Sequence, residues 1–301
     1  MAARYPLLLD LADRPVLVVG GGPVAARRVA GLLAAGARVT VVAPQLCEDL
    51  ADLAADGRLD WVPRAGGGAD VAEGRWALVH TATGDRDVDD AVAGAADRAG
   101  TWCVRADRAE ASAAHVPAVA TGPDGVQVAV SGGGDPGRAR DLRDAISTAL
   151  ATGGLPLRRT RPGPGPGTVV LVGGGPGDPG LLTVAGRQWL ARADVVVADR
   201  LGPRSVLDQL GPDVLVIDVG KAAGNHPIPQ HQINDLLVEH ARAGRTVVRL
   251  KGGDPFVLGR GGEEALHCLE HGIVVEVVPG ITSAISVPAA AGIPVTHRGI
   301  T

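Results

Sequence analysis

A chain of 301 residues, 46% of them hydrophobic, is long enough for two domains that each bury a core. Its 29 basic and 33 acidic side chains are interspersed and leave a net charge of −4, which argues against a nucleic-acid or membrane-surface role. Three distant cysteines (Cys47, Cys103, Cys268) without CxxC spacing indicate neither a disulfide framework nor a zinc site, so a reducing compartment is expected.

In chain order, short apolar runs alternate with alanine-rich, helix-compatible stretches, the pattern of parallel sheets with crossover helices. Strands are expected at 16–19, 38–42, 76–81, 102–105 and 126–130, with helices at 24–35, 87–99 and 137–150, forming one doubly wound unit over residues 1–150. Residues 151–167, ATGGLPLRRTRPGPGPG, read as a semi-extended linker. A second α/β unit is expected over 168–301, with strands at 169–172, 194–198, 214–218, 246–250 and 274–278. With no charged-then-apolar leader and no long uncharged apolar run, a soluble cytoplasmic protein is expected, without a membrane partner.

The first strand runs into Gly20-Gly-Gly22-Pro-Val-Ala25 and then a helix, the context a dinucleotide fingerprint requires. Gly20 suits the tight turn, Gly22 lets backbone approach a pyrophosphate, and Pro23 and Val24 open the helix whose amino terminus favours the anion. The second strand ends in Ala43-Pro44-Gln45, with no acidic residue to grip a ribose hydroxyl, so Pro44 and Gln45 are expected to contact the cofactor through backbone, and NAD versus NADP is open. Asp107, after the strand at 102–105, is a carboxylate for accepting a proton, for holding a metal, or simply for capping the next turn. Ser131-Gly-Gly-Gly134 is a further loop at a strand end.

Val169 to Gly180 also satisfies G-x-G-x-x-G, but Pro176 and Pro179 stiffen the loop and delay the helix, so a pyrophosphate turn is not expected there. The densest cluster is VVRLKGGDPFVLGRGGEE, residues 247–264, a strand delivering glycines and ionisable groups to a sheet edge. It holds Lys251, one of only two lysines in this arginine-rich chain; the other, Lys221, lies in VGKAAG. Arginine does not easily replace a lysine that must exchange a proton.

GPGDPGLLT, ADVVVADRL, VGKAAGNHPIPQHQIN, VVRLKGGDPFVLGRGGEE and VVPGITSAISVPAAAGIPVTHR, in this order, resemble the tetrapyrrole methylases, specifically the uroporphyrinogen-III C-methyltransferases. With the GGGPVA loop and ARVTVVAP ahead of them, the whole chain resembles the multifunctional siroheme synthases. The resemblance implies a Rossmann-like parallel-sheet domain followed by the first α/β lobe of a methylase. It also implies methylation of uroporphyrinogen III to precorrin-2 with S-adenosylmethionine, oxidation with NAD to sirohydrochlorin, and insertion of ferrous iron as a substrate. A second reading is a methyltransferase whose first domain only senses NAD or tetrapyrrole.

By resemblance, Asp199 matches the proton acceptor of methyl transfer and Lys221 the proton donor, against the plainer readings of a helix-capping aspartate and a surface lysine. S-adenosylmethionine contacts fall on Pro176, Gly252, Gly253, Asp254, Val257, Thr282 and Ser283. Arg200, Arg249, Arg260 and His226 are candidates for a basic rim facing a polycarboxylate substrate. Asp107 matches the dehydrogenase and chelatase aspartate, and would be the metal-holding group. The chain departs from the family in three places: Val104 replaces a usual asparagine, Gly132 falls on the regulatory phosphoserine position, and the usual helical dimerisation segment is shortened to the linker. A homodimer is still expected. The second methylase lobe lies beyond Thr301, so weak or absent methyl transfer is expected of these residues alone.

Overall fold

The computed structural model describes residues 5–161, 165–200, 202–220 and 228–299. The chain is α/β and divides into two compact units, residues 1–117 and 118–301.

The first unit runs β1 (Pro15–Val19), α1 (Pro23–Ala34), β2 (Arg38–Val42), α2 (Glu48–Ala55), β3 (Asp60–Val62), α3 (Gly68–Ala72), β4 (Leu78–Thr81), α4 (Arg86–Arg98) and β5 (Cys103–Arg105). All strand pairs are parallel, in the order β3-β2-β1-β4-β5. Alternation divides the β1 side chains between two cores. Val16 and Val18 pack with Ala25, Val29 and Leu32 of α1, while Leu17 and Val19 pack with Val92 and Ala96 of α4. Each fully buried valine or leucine among them is worth about 1.5–3 kcal/mol. The strand order reverses between β1 and β4, which opens a crevice at their carboxyl ends.

The second unit begins with a hairpin, β6 (Ala118–Thr121) and β7 (Gln127–Val130), on which α5 (Pro136–Ala151) packs. The strand expected at 126–130 as a fifth parallel member is therefore antiparallel and outside both main sheets. The turn explains it: Asp124 and Gly125 both have positive φ (56° and 77°), the conformation that matches hairpin twist. The division at Pro117 falls ahead of the expected edge at 150, so hairpin and helix group with the second sheet.

That sheet is built from β8 (Thr168–Gly173), α6 (Val184–Arg192), β9 (Val195–Ala198), α7 (Arg204–Leu207), β10 (Leu215–Asp218), α8 (Gln230–Arg242), β11 (Thr246–Lys251), α9 (Gly261–Glu270), β12 (Val274–Val278) and α10 (Ser283–Ala290). It is wholly parallel, ordered β10-β9-β11-β8-β12. The stretch read as a linker is tied down at its described ends. The Leu157 N–H donates to the Ala191 carbonyl (2.8 Å), Gln188 Nε2 to that of Ala151 (2.6 Å) and the Gly167 N–H to that of Ala241 (2.7 Å). No helix among the described residues is long and apolar enough to cross a membrane.

Candidate functional site

In the first unit, three residues separate β1 from α1, so the helix amino terminus sits at the strand end. A cleft of about 440 Å³ opens there, lined by Gly20, Gly21, Gly22, Pro44, Gln45, Leu46, Cys47, Gly66 and Thr83. The glycines serve different ends. A Cβ on Gly20 (φ 125°) would lie 2.3 Å from the Ala82 carbonyl oxygen, and one on Gly21 2.0 Å from that of Gln45. These two are required by the chain's own packing. Gly22 has an ordinary φ of −86°, and a Cβ there meets nothing within 4 Å. The protein itself does not demand glycine at that position, which leaves room for a ligand. No side chain caps α1, whose amino terminus therefore suits an anion.

Gly22→Leu is accordingly expected to cost no more than about 1 kcal/mol of unfolding free energy, the scale of replacing an N-cap residue by an aliphatic one where no atom clashes, while abolishing dinucleotide binding. Thermal unfolding and a fluorescence titration with NADH check the pair of outcomes. Gly20→Ala should instead destabilise.

Asp89 escapes the sequence reading. Wholly buried on α4, it accepts hydrogen bonds from the hydroxyls of Thr81 and Thr83 (the latter at 2.7 Å) and from the Thr83 N–H (3.3 Å). It thereby fixes the loop after β4 that walls the cleft. Its only sequence signal is an aspartate within the expected helix at 87–99, where a solvated face is the default reading.

Asp107 leaves β5 at the same carboxyl edge. It caps nothing: the short 3₁₀ turn at Ala109–Ala111 has Arg108 at its cap, with no side-chain bond. Its two oxygens are instead gripped by Arg105, from Nε at 2.9 Å and Nη2 at 2.8 Å. Arg105 is buried and also holds Asp90, which Arg108 binds from the other side. The hydrogen bonds from Arg105 hold the Asp107 carboxyl below its usual range, so it is a fixed anion at neutral pH. Among the described residues, no three His, Cys, Asp or Glu side chains are arranged to hold a metal ion. A carboxylate engaged bidentately by arginine does not fit a metal ligand.

In the second unit the loops after β8, β11 and β12 meet. Gly175 and Gly253 exchange backbone hydrogen bonds (3.1 and 2.7 Å), and Asp254 Oδ2 accepts from the Gly280 N–H (3.0 Å) while Oδ1 accepts from that of Phe256 (2.8 Å). A Cβ on Gly280 would lie 2.2 Å from the Gly253 carbonyl oxygen. Asp254 is thus first a clasp between two loops. Gly253 needs its φ of 63°, and a Cβ there would find only Thr282 Cα, at 3.8 Å, so its outer face is open. Pro176, Val257 and Ser283 are exposed around it, and Thr282 Oγ1 caps α10 (3.4 Å), which leaves its proton for another acceptor. Gly252 is half-buried in the same turn. Ten residues separate β8 from α6, so no helix amino terminus stands at this strand end, in keeping with the rejected pyrophosphate turn.

Asp199 comes directly after β9 and is half-buried. It caps no helix: Pro203 stands at the cap of α7, and Asp199 Oδ1 accepts from the Gly202 N–H (3.1 Å) to close a turn. Arg249 lies 3.7 Å from Asp199 Oδ2 and is 3% exposed, so it belongs to the interior and not to a substrate rim. Period-two alternation explains this: Val247, Arg249 and Lys251 share the face that α8 and α9 cover. Arg260 is exposed but paired with Glu263 (2.6 Å), and Arg200 is exposed. Lys221 and His226 lie outside the described residues.

The family described as Tetrapyrrole (Corrin/Porphyrin) Methylases matches residues 168–301, and the one described as "Putative NAD(P)-binding" matches residues 7–118. A siroheme synthase of Chromobacterium violaceum is 38% identical over 346 aligned positions, covering 98% of this chain and 73% of that protein. Siroheme synthase 3 of Aeromonas hydrophila is 39% identical, covering 97% and 73%. The chain belongs to the siroheme synthase family. Among solved structures, a uroporphyrin-III C-methyltransferase of Thermus thermophilus is similar at 46% identity, covering 44% of this chain and 56% of that one, with a TM-score of 0.39.

Set against the Chromobacterium siroheme synthase, 346 aligned positions accommodate only 98% of 301 residues, so the relative carries about fifty residues in that span that this chain lacks. The sequence reading expects such a loss at the linker, residues 151–167, which lies between the two matched parts. The loop at Gly132 has its own constraint. A Cβ on Gly132 would lie 2.0 Å from the Asp135 carbonyl oxygen, so a serine does not fit this conformation.

Proposed function

We propose that this chain is a siroheme-biosynthesis enzyme that couples S-adenosylmethionine-dependent methylation of uroporphyrinogen III in its second unit to NAD-dependent oxidation of precorrin-2 in its first. The observation carrying the reading is the joining, in one chain, of a cleft with an open Gly22 at a helix terminus and a second sheet edge where Gly175, Gly253 and Gly280 converge. S-adenosylmethionine supplies an electrophilic methyl group, and bound NAD supplies a hydride acceptor.

The chain's own groups do the rest. Gly253 and Gly252 offer backbone to the methyl donor, Pro176, Val257, Thr282 and Ser283 border it, and Asp254 holds the loops in place. Asp199, half-exposed at the strand end, takes the proton released after the pyrrole carbon is methylated, with Lys221 as donor. In the first unit Gly20, Gly22, Pro23 and Val24 cradle the pyrophosphate, and Pro44 and Gln45 flank the ribose. Asp107, ionised and aimed by Arg105, accepts the proton that accompanies hydride loss. Ferrous iron insertion is a third step of the proposal, with iron as substrate; its sole candidate group, Asp107, is bound to arginine. We place the enzyme in the cytoplasm as a homodimer.

The test is spectroscopic. Sirohydrochlorin formation from precorrin-2 should require NAD and collapse in Asp107→Ala, and Asp199→Asn should stop methylation while leaving S-adenosylmethionine bound. Colour development without NAD would sink the dehydrogenase reading and favour a sensing first domain.

A further inference from the structure

We propose that Glu264, through Arg249, is the positioning device for Asp199 in methyl transfer. This rests on the reading of Asp199 as the proton acceptor. Glu264 stands in the first turn of α9 with no exposed surface, and its carboxylate is saturated with donors. Lys251 Nζ reaches both oxygens at 3.0 Å, Arg249 Nε reaches Oε1 at 3.0 Å, and Gln230 Nε2 of α8 reaches Oε1 at 3.1 Å.

Arg249 is held from three directions. Its Nη1 donates to the carbonyls of Val197 (3.2 Å) and Leu250 (3.1 Å), and its Nε is taken by Glu264, which turns Nη2 toward Asp199 Oδ2 at 3.7 Å. Val197 belongs to β9, the strand that delivers Asp199, so one planar guanidinium ties the acid's own strand to α9. The charges balance, with Arg249 and Lys251 against Glu264 and Asp199. The contact that leaves the buried set is the one to the half-exposed Asp199, at the sheet edge where the methyl donor is proposed to sit.

A guanidinium spans two carboxylates in fixed geometry, whereas an ammonium is a point charge that meets one of them. Arg249→Lys, which keeps the charge, is therefore the deciding variant, with Glu264→Gln and Asp199→Asn beside it in the full-length protein. The readouts are kcat and KM with uroporphyrinogen III, S-adenosylmethionine affinity by titration, and the unfolding midpoint. Arg249→Lys and Glu264→Gln should fold, hold S-adenosylmethionine within about threefold, and lose roughly 10–100-fold in kcat, the scale of a small misplacement of the reacting group. Wild-type kcat in Arg249→Lys, a parallel loss of kcat and S-adenosylmethionine affinity, or failure of Arg249→Lys to fold would each overturn the proposal, the last two by making the network purely structural. If Asp199→Asn keeps full kcat, the reading of Asp199 falls first, whatever Arg249→Lys does.

Discussion

In Glu264→Ala the second unit is expected to lose about 3–5 kcal/mol, the usual consequence of removing one partner from a buried ionic cluster. Arg249 and Lys251 are each 3% exposed, and both direct donors at the carboxylate that this change deletes. Lys251 has an escape: burial and the neighbouring Arg249 already lower its pKa, so it can shed its proton once Glu264 is gone. Arg249 has none, because a guanidinium stays charged at any relevant pH. The residual penalty therefore sits on Arg249. A urea titration followed by circular dichroism measures it, and a loss under about 1 kcal/mol would mean that water reaches the cluster. Replacing Glu264, Arg249 and Lys251 together by Leu, Met and Leu should recover most of the stability, since an apolar cluster of like volume has no charge to desolvate. The same triple variant should not recover methylation, which separates the cluster's contribution to folding from its contribution to chemistry.

The strands are legible because they are buried on both faces, and a parallel strand between helix layers is a near-continuous run of Val, Leu and Ala. β1, β8, β9 and β11, buried in this way, match the sequence reading within one residue, and so does β12, an exposed edge strand whose unbroken valines give the signal instead. The elements that escape it lack that signature. Asp60–Val62 is a three-residue edge strand with one acidic and one aromatic residue, recognisable only from its parallel pairing with β2. The Gly122 to Gly125 turn, Gly-Pro-Asp-Gly, is a hairpin signal in plain view, but the apolar run after it fits a parallel sheet strand equally well.

The site residues divide along the same line. Glycines at strand ends are found from spacing, although spacing alone does not tell Gly20 and Gly21, which the fold demands, from Gly22, which it does not. The supporting carboxylates Asp89 and Glu264 escape detection, since a buried acid on a helix looks the same in sequence as a solvated one. Arg249 is misread as rim for the converse reason: an arginine in a strand reads as surface unless the helices that cover that face, and the acid they carry, are known.

Acid should weaken the first unit well above the pH at which its carboxylates titrate, and His80 is the cause. This side chain is 3% exposed on β4, and its Nε2 has no hydrogen-bond partner. Burial, with a smaller contribution from Arg28, lowers its pKa to about 4. An unfolded histidine titrates near 6.5, so between these values the unfolded chain binds a proton that the folded chain refuses. Stability therefore rises with pH through this window. It is complete above about 6.5, falls progressively as pH drops toward 4, and amounts to about 3 kcal/mol for a shift of this size. Asp90 and Asp107, whose arginine partners lower their pKa values, act in a separate and more acidic range, below the ordinary carboxylate value. Trp61, Trp76 and Trp102 report on this unit, so urea unfolding followed by tryptophan fluorescence at a series of pH values measures the slope. His80→Leu removes the titrating group and its orphaned nitrogen, and should flatten the dependence between about pH 6.5 and 4.5 at little or no loss of stability near pH 7. An unchanged slope in His80→Leu would assign the acid sensitivity to other groups. A flattened slope would identify His80 as the unit's acid-labile point, on the strand whose end forms a wall of the Gly22 cleft.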